Sequence, residues 1–152
     1  MDEALAQRQF ALAMGSYKQE FDNFFLAKLL GLTVTYSDHR CVVQFNCADF
    51  LFNPQGSLHG GIIATVLDIS MGHLLKHEEG PGATLEMKVQ YVKGARAGPL
   101  TCTGEFIRKG KKISFLKSTL TASDGDVIAF ATSTWKLLGP PSALPIGDKN
   151  ET

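Results

Sequence analysis

The sequence predicts an α+β fold in which one long helix packs on an antiparallel sheet of about six strands. The longest apolar helical segment, residues 59 to about 77, carries Ile, Val and Leu around most of its circumference, which is typical of a buried helix. Two strand-like runs precede this segment and four follow it, with short turns between the later runs. Strands that flank a single long helix favour a sheet with that helix against one face.

Two helices are predicted before the first strand. Residues 3 to 13 are rich in Ala, Gln and Leu, and Gly15 is expected to end this helix. Ser16 is expected to cap a second helix over residues 17 to 30. Helical spacing in this second segment gives one apolar stripe, which consists of Phe21, Phe24, Phe25 and Leu29.

The strands are read from β-rich runs and from the turns between them. "LTVTYSDHRCVVQFNC" predicts a hairpin around residues 37–39, and the loop "ADFLFNPQGS" then leads to the long helix. Gly-Pro-Gly at residues 80–82 ends that helix. The four later strands are "ATLEMKVQYVKG", "PLTCTGEFIRK", "KISFLKSTLTA" and "VIAFATSTWKLL", the last pair joined through the Asp-Gly turn at residues 124–125. Alternation places one set of side chains on a single face of the first of these strands: Leu85, Met87, Val89 and Tyr91.

Length divides the chain into one domain with two short flanking segments. The 152 residues suit a single core. We predict N-terminal helices over residues 1–30, the main domain over residues 31–138 and a flexible tail over residues 139–152.

Composition excludes several classes of partner. The formal net charge of zero gives no reason to expect nucleic acid, and no apolar run approaches the roughly 20 residues of a membrane span. The acidic N-terminus lacks the apolar core of a signal peptide. The three cysteines, Cys41, Cys47 and Cys102, form no CxxC pair and are expected to be buried free thiols. A cytoplasmic location follows as the expectation.

The stretch "NPQGSLHGGIIATVLDISMG", residues 53 to 72, raises a question about one carboxylate. It places His59 before two glycines and Asp68 inside the apolar helix. If both lay on one straight helix, they would be about 13 Å apart along its axis and half a turn out of phase, so they could not meet within one chain. Two interpretations stay open. Asp68 is a structural carboxylate bound to a buried donor, or it meets the glycines and His59 of a second, antiparallel copy.

The start of the long helix could also bind a carbonyl oxygen. The first N–H groups of a helix have no partner within the helix, and Gly60 and Gly61 let a substrate approach this backbone closely. The alternative is that the glycine pair only fits a tight helix entry. Gly61, Ala64, Thr65 and Gly72 are small and leave room on the Asp68 side.

Two further groups of residues have a plain interpretation beside a functional one. His73 and His77 stand four apart and could bind zinc, but cationic side chains also suit the C-terminal turns of a helix, and we predict no metal site. Basic residues cluster at Lys93 and Arg96 and again over residues 108–112, where they form solvated turns or contact anions.

The spacing N-P-x-G-x-x-H-G-G-x-x-x-x-x-x-D, from Asn53 to Asp68, resembles the signature of the hotdog-fold acyl-CoA thioesterases of the phenylacetate-pathway (PaaI) type. The resemblance covers about residues 28 to 137, including the basic turn and the Asp-Gly hairpin. It implies a hotdog fold, with the sheet wrapped around a central helix. It also implies hydrolysis of an acyl-CoA to free acid and CoA, without metal or organic cofactor. A homodimer would be the minimal active unit, within a homotetramer of two dimers.

The resemblance also assigns roles to five residues. Gly60 matches the residue whose backbone N–H binds the thioester carbonyl, and Asp68, delivered across the dimer, matches the nucleophile or general base. Asn53 and His59 match polar residues near the carbonyl and the attacking water. Thr84 matches a Ser or Thr that hydrogen-bonds the catalytic group or its water.

Substrate contacts are a further expectation, drawn from the residues themselves. Gly61 and Thr65 are expected to line the substrate site, while Arg108, Lys109 and Lys111 are candidates for the CoA phosphates. The aromatic residues that could line an acyl tunnel, or simply pack in the core, are Phe21, Phe24, Phe25, Phe50 and Phe52. The alternative function is a non-catalytic binder of acyl-CoA or another hydrophobic ligand on the same fold.

Overall fold

The structure, a computed structural model, describes residues 1–139. In chain order its elements are α1 (Glu3–Ser16), α2 (Phe25–Leu29), β1 (Thr33–Ser37), β2 (Arg40–Cys47), a short 3-10 turn (Asp49–Leu51), α3 (Gly60–Glu78), β3 (Gly82–Tyr91), β4 (Gly98–Arg108), β5 (Ile113–Ala122) and β6 (Val127–Leu137). This is the predicted order of helices and strands. Residues 140–152, nearly all of the predicted tail, lie outside the described part.

The six strands form one antiparallel sheet in the order β1-β2-β4-β5-β6-β3. Two tight turns fix its hairpins. Asp38 and His39 have positive φ between β1 and β2, and Gly125 has φ 88° between β5 and β6. Because β3 pairs only with β6, it forms one edge of the sheet and lies beside α3.

One face of α3 supplies the centre of the hydrophobic core. Val66, Leu67, Met71, Leu74 and Leu75 have no exposed surface, and their spacing of three and four residues places them on one side of the helix. They pack with inward-facing side chains of the sheet, and all three cysteines are buried free thiols, as predicted. The opposite side of α3 is only partly covered, so the helix is less completely buried than its composition predicts.

Close approach between α3 and the sheet depends on two glycines. A Cβ atom at Gly104 would lie 2.7 Å from the carbonyl oxygen of Ser70, and one at Gly72 would lie 2.9 Å from the Trp135 ring. Glycine at these positions lets the helix backbone contact β4 and lets Trp135 pack on the helix. Gly72 therefore has a packing role in addition to the open space expected near Asp68.

The predicted second helix is wrong over most of its length. Residues 17 to 24 are not helical, α2 spans only Phe25–Leu29, and α1 continues through Gly15 to Ser16. The Ser16 hydroxyl donates back to the Leu12 carbonyl (2.6 Å), so it does not cap a following helix. Residues 18 to 23 form a turn closed by backbone hydrogen bonds between Lys18 and Asn23 and between Asn23 and Glu20.

The predicted alternation of β3 is broken by a bulge. The register with β6 shifts between Thr84 and Glu86, which leaves Leu85 as the extra residue, 55% exposed. Met87 and Val89 still pack against the core.

No helix within residues 1–139 has the length and apolar character needed to cross a membrane.

Candidate active site

Asp68 lies on the partly covered side of α3 and is held by a residue from β3. The Thr84 hydroxyl donates to its Oδ1 at 2.9 Å, so the structure brings together two residues that lie 16 positions apart in the sequence, on α3 and on β3. Burial raises the pKa of the Asp68 carboxyl, and the Thr84 hydrogen bond opposes that rise. A half-buried carboxylate with one donor and one free side is suited to accept a proton.

A cavity of about 640 Å³ opens beside Asp68 and Thr84. Its walls are mostly apolar, and Thr65 lies on its rim with its hydroxyl bonded to the Gly61 carbonyl (2.9 Å). Of the aromatic residues proposed for an acyl tunnel, Phe21 and Phe24 line this cavity. The other three proposed aromatics do not line it: Phe25 contacts Phe10 and Tyr17, and Phe50 and Phe52 pack against the core.

The start of α3 is organised by His59 and two glycines. His59 is the N-cap, and its Nδ1 accepts a hydrogen bond from the Gly61 N–H at 2.9 Å. Within the described residues the Gly60 N–H has no hydrogen-bond partner, as expected for the first residue of a helix. His59 therefore occupies the Gly61 N–H and leaves the Gly60 N–H free to bind an oxygen atom.

Asn53 shapes the loop that leads into α3. Its Oδ1 accepts from the N–H groups of Gln55 and Ser57, and its Nδ2 donates to the Ser57 hydroxyl (3.1 Å). The backbone of His59 is tied to Leu51 (3.0 Å) in the same loop. Asn53 thus fixes the approach to Gly60 through the loop, while it also lines a second cavity of about 350 Å³ there.

The Gly60 and Asp68 ends of the motif do not meet within one protomer. The two residues are about 12 Å apart along the helix axis. The cavity at Gly60 shares no lining residue with the cavity at Asp68. His59 precedes the helix in extended conformation (φ −61°, ψ 131°), so the half turn predicted for a straight helix through His59 does not apply, and it is distance along the helix that separates His59 from Asp68.

The basic turn between β4 and β5 lies near the C-terminal end of α3. Lys109 pairs with Glu78 (2.6 Å) and Glu79 (3.5 Å), which raises the pKa of its ammonium group. Arg108 and Lys111 form no ion pair within residues 1–139. Of the three predicted phosphate contacts, these two are the more available, since Lys109 would have to leave Glu78.

His73 and His77 do not face one another as metal ligands. The Nδ1 of His73 lies 3.0 Å from the Tyr36 hydroxyl and 3.5 Å from the Asp22 carboxylate, and the His77 ring stacks on Tyr36 at 4.0 Å. Burial lowers the pKa of His73, although Asp22 opposes this. No group of three or more His, Cys, Asp or Glu side chains in the described part could hold a metal ion.

Tyr91 is a site residue that the sequence did not reveal. Its hydroxyl donates to the Gly60 carbonyl oxygen (3.1 Å), and its ring lies where a Cβ atom on Gly60 would make a 3.3 Å contact. Alternation predicted only that Tyr91 shares one face of β3 with Leu85, Met87 and Val89. The bulge at Leu85 and the pairing of β3 with β6 decide where Tyr91 points, and neither is visible in the local pattern.

Several known proteins are similar to this chain. Residues 55–129 match the family model of the thioesterase superfamily. The chain is 36% identical over 100 residues to mouse acyl-coenzyme A thioesterase 13, covering 63% of this chain and 71% of that protein. It is 30% identical over 97 residues to the Salmonella typhimurium medium/long-chain acyl-CoA thioesterase YigI, covering 53% of this chain and 63% of that protein.

A solved structure shares the fold. The PaaI protein from the phenylacetic acid degradation operon of Escherichia coli has a TM-score of 0.74 at 19% identity, covering 89% of this chain and 95% of that one. The chain therefore belongs to the thioesterase superfamily and has the hotdog fold, as the Asn53–Asp68 motif indicated.

Proposed function

We propose that the protein hydrolyses acyl-CoA thioesters to a free acid and CoA, at a site shared between two protomers. The observation that carries the proposal is the separation of two complementary half-sites on α3. One half offers the unpaired Gly60 N–H and the other offers the Asp68 carboxylate beside an apolar cavity. An antiparallel second copy would bring the Asp68 half of one chain to the Gly60 half of the other.

The assembly is supported by the surface of β3. This ten-residue strand is an edge of the sheet, and edge strands present unpaired backbone groups to another chain. Leu85 and Tyr91 on β3 are 55% and 56% exposed, so this edge also offers apolar side chains to a partner. A dimer through this edge, with Asp68 facing the partner, is the minimal active unit of the proposal. The predicted tetramer of two such dimers remains an expectation from the family.

The proposed reaction needs one base and one carbonyl-polarising donor. The thioester oxygen accepts from the Gly60 N–H, where the positive end of the helix dipole stabilises developing negative charge. Asp68 removes a proton from water as the water oxygen forms a bond to the carbonyl carbon. Collapse of the tetrahedral intermediate breaks the C–S bond, and the thiolate of CoA leaves and takes up the proton.

Direct attack by the Asp68 carboxylate is the alternative route to the same products. It would form a mixed anhydride, which water then hydrolyses. Label found on the enzyme after a single turnover in ¹⁸O-labelled water would establish the anhydride route. Attack by water puts the label in the released acid, whereas an anhydride opened at the Asp68 carbonyl leaves the label on the enzyme.

A subunit-mixing experiment tests the shared site. Asp68→Asn removes the base, and Gly60→Pro removes the backbone donor. Proline is tolerated at the first position of a helix, and the extended backbone of His59 suits a following proline. Each variant should be inactive alone in a thiol-release assay with a panel of acyl-CoAs. Dimers of one chain of each kind contain one intact site, so co-refolded mixtures should regain about a quarter of the wild-type rate per protomer.

Two results would reject the proposal. Mixtures that stay as inactive as the parents would show that the two residues do not act across an interface. Wild-type protein that binds acyl-CoA but releases no thiol from any member of the panel would leave the non-catalytic binder as the function.

A further inference from the structure

We propose that Phe21 and Phe24, on the segment between α1 and α2, limit the length of the acyl group that the site accepts. Both line the cavity beside Asp68, together with Leu26. All three precede residue 55, where the match to the superfamily model begins. The inference rests on the proposed function and adds to it a specificity determinant outside the matched region.

The cavity has the chemistry of a hydrocarbon site at this end. Ile69, Met87 and Trp135 complete its apolar wall near the two phenylalanines. Its polar side chains are the bonded pair Asp68 and Thr84, together with Thr65 and with His73, whose ring is covered by Phe21. An acyl-CoA bound with its carbonyl near Asp68 would therefore extend its chain toward Phe21 and Phe24.

The position of Phe21 along α3 indicates how far that chain can extend. The Phe21 ring packs on His73 with centroids 4.4 Å apart. His73 lies five residues beyond Asp68 on α3, about 7.5 Å along the axis. That distance accommodates a short unbranched acyl group, and a longer chain would meet the Phe21 ring.

Phe21 is held in place from both sides, although its segment is not helical. The Lys76 ammonium lies 4.3 Å from the centroid of the Phe21 ring. Asp22, which follows Phe21 in the chain, places its carboxylate 3.5 Å from His73 Nδ1. Cation–π and aromatic contacts of this kind stabilise one ring orientation. His73 thus contributes to the position of the Phe21 ring.

Substitutions that shrink and enlarge the ring test the inference in opposite directions. The measured quantity is the ratio of kcat/KM for dodecanoyl-CoA to that for hexanoyl-CoA. Phe21→Ala and Phe24→Ala should raise this ratio about tenfold, since each further buried methylene contributes to binding. Phe21→Trp should lower it. Because each ratio is taken within one preparation, partial loss of folded protein cancels.

Phe10→Ala is the matched control. Phe10 packs edge-on against Phe25 (5.8 Å) in the same N-terminal region but does not line the cavity. The ratio should stay within twofold of wild type in this variant. A rise equal to that of Phe21→Ala would show a general loosening of the region, and an unchanged ratio in all three Phe21 and Phe24 variants would overturn the inference.

Binding separates this inference from the proposed function. S-dodecyl-CoA and S-hexyl-CoA are thioethers that cannot be hydrolysed, and their Kd ratio should change in the same direction as the kcat/KM ratio. A wild-type protein without thioesterase activity but with the expected Kd shifts would reject the catalytic proposal and keep the acyl-length limit. Normal hydrolysis with unshifted Kd ratios would reject the limit and keep catalysis.

Discussion

The two half-sites of α3 are built in different ways. At the start of the helix, His59, Asn53 and Ser57 act on backbone groups within four residues, so the loop organises itself. In the middle of the helix, Asp68 depends on Thr84, 16 residues later on an edge strand. The side-chain contacts of the first half-site are mainly local, with Tyr91 added from β3, whereas the second half-site is assembled by the sheet.

This difference has a chemical consequence. A backbone N–H keeps its position as long as the helix begins at the same residue, whereas a carboxylate changes its basicity with every neighbour. We therefore expect substitutions at the Gly60 half to act on transition-state stabilisation alone. Substitutions at the Asp68 half should also change the pH dependence of kcat/KM.

The largest expected effect is at Asp68. Asp68→Ala and Asp68→Asn should lower kcat/KM for the best acyl-CoA about 1000-fold, since a positioned base contributes roughly 10²–10⁴ to a rate. Thiol release under saturating and limiting substrate would measure the loss.

Thermal unfolding separates lost catalysis from lost structure. Burial raises the pKa of Asp68 above its unfolded value, so the ionised carboxylate opposes folding at pH values above the unfolded pKa. Asp68→Asn removes that charge, and its Tm at pH 8 should equal or exceed that of wild type. Asp38→Asn, in the exposed β1–β2 turn, is the control that should retain full activity. A lowered Tm in Asp68→Asn would assign the carboxylate a structural role instead.

The next effect should come from the backbone donor at Gly60. Gly60→Pro should lower kcat about 100-fold, a typical loss for one oxyanion-stabilising donor. Gly60→Ala adds a similar Cβ but keeps the N–H. Its kcat should remain within a few-fold of wild type if the Tyr91 ring shifts slightly to relieve the 3.3 Å contact. Comparable losses in the two variants would mean that crowding, and not the missing hydrogen bond, causes the effect.

The same contrast explains what the sequence could predict. The order of elements, the start of α3 and the buried thiols follow from local patterns, and the structure confirms them. The role of Thr84 is predicted only through the family resemblance. The segment at residues 17–24 was predicted wrongly because its phenylalanines have helical spacing, while the backbone turn that closes it depends on Asn23 and its neighbours.

A smaller and more specific effect is expected at Thr84. Burial raises the pKa of Asp68, and the Thr84 hydrogen bond lowers it, so Thr84→Val should raise it further. A base must be ionised to act, and therefore the acidic limb of the pH profile of kcat/KM should move to higher pH. On that limb we expect a loss of about fivefold to tenfold, the size of one hydrogen bond. Thr84→Ser keeps the hydroxyl donor, so the acidic limb should stay at the wild-type pH. If the limb of Thr84→Val also stays there, Thr84 does not set the pKa of Asp68.

The smallest effect should be at Tyr91, and its size tests how the first half-site is organised. The Tyr91 hydroxyl bonds the Gly60 carbonyl, which belongs to the peptide after Gly60, whereas the catalytic N–H belongs to the peptide before it. Tyr91→Phe keeps the ring and loses only this bond. If the loop and helix position the N–H, as the local contacts indicate, kcat should fall about twofold, with KM unchanged, against a Tyr17→Phe control. A loss near that of Gly60→Pro would instead place the Tyr91 hydroxyl at the substrate, and the Gly60 half-site would then depend on β3 as strongly as Asp68 does.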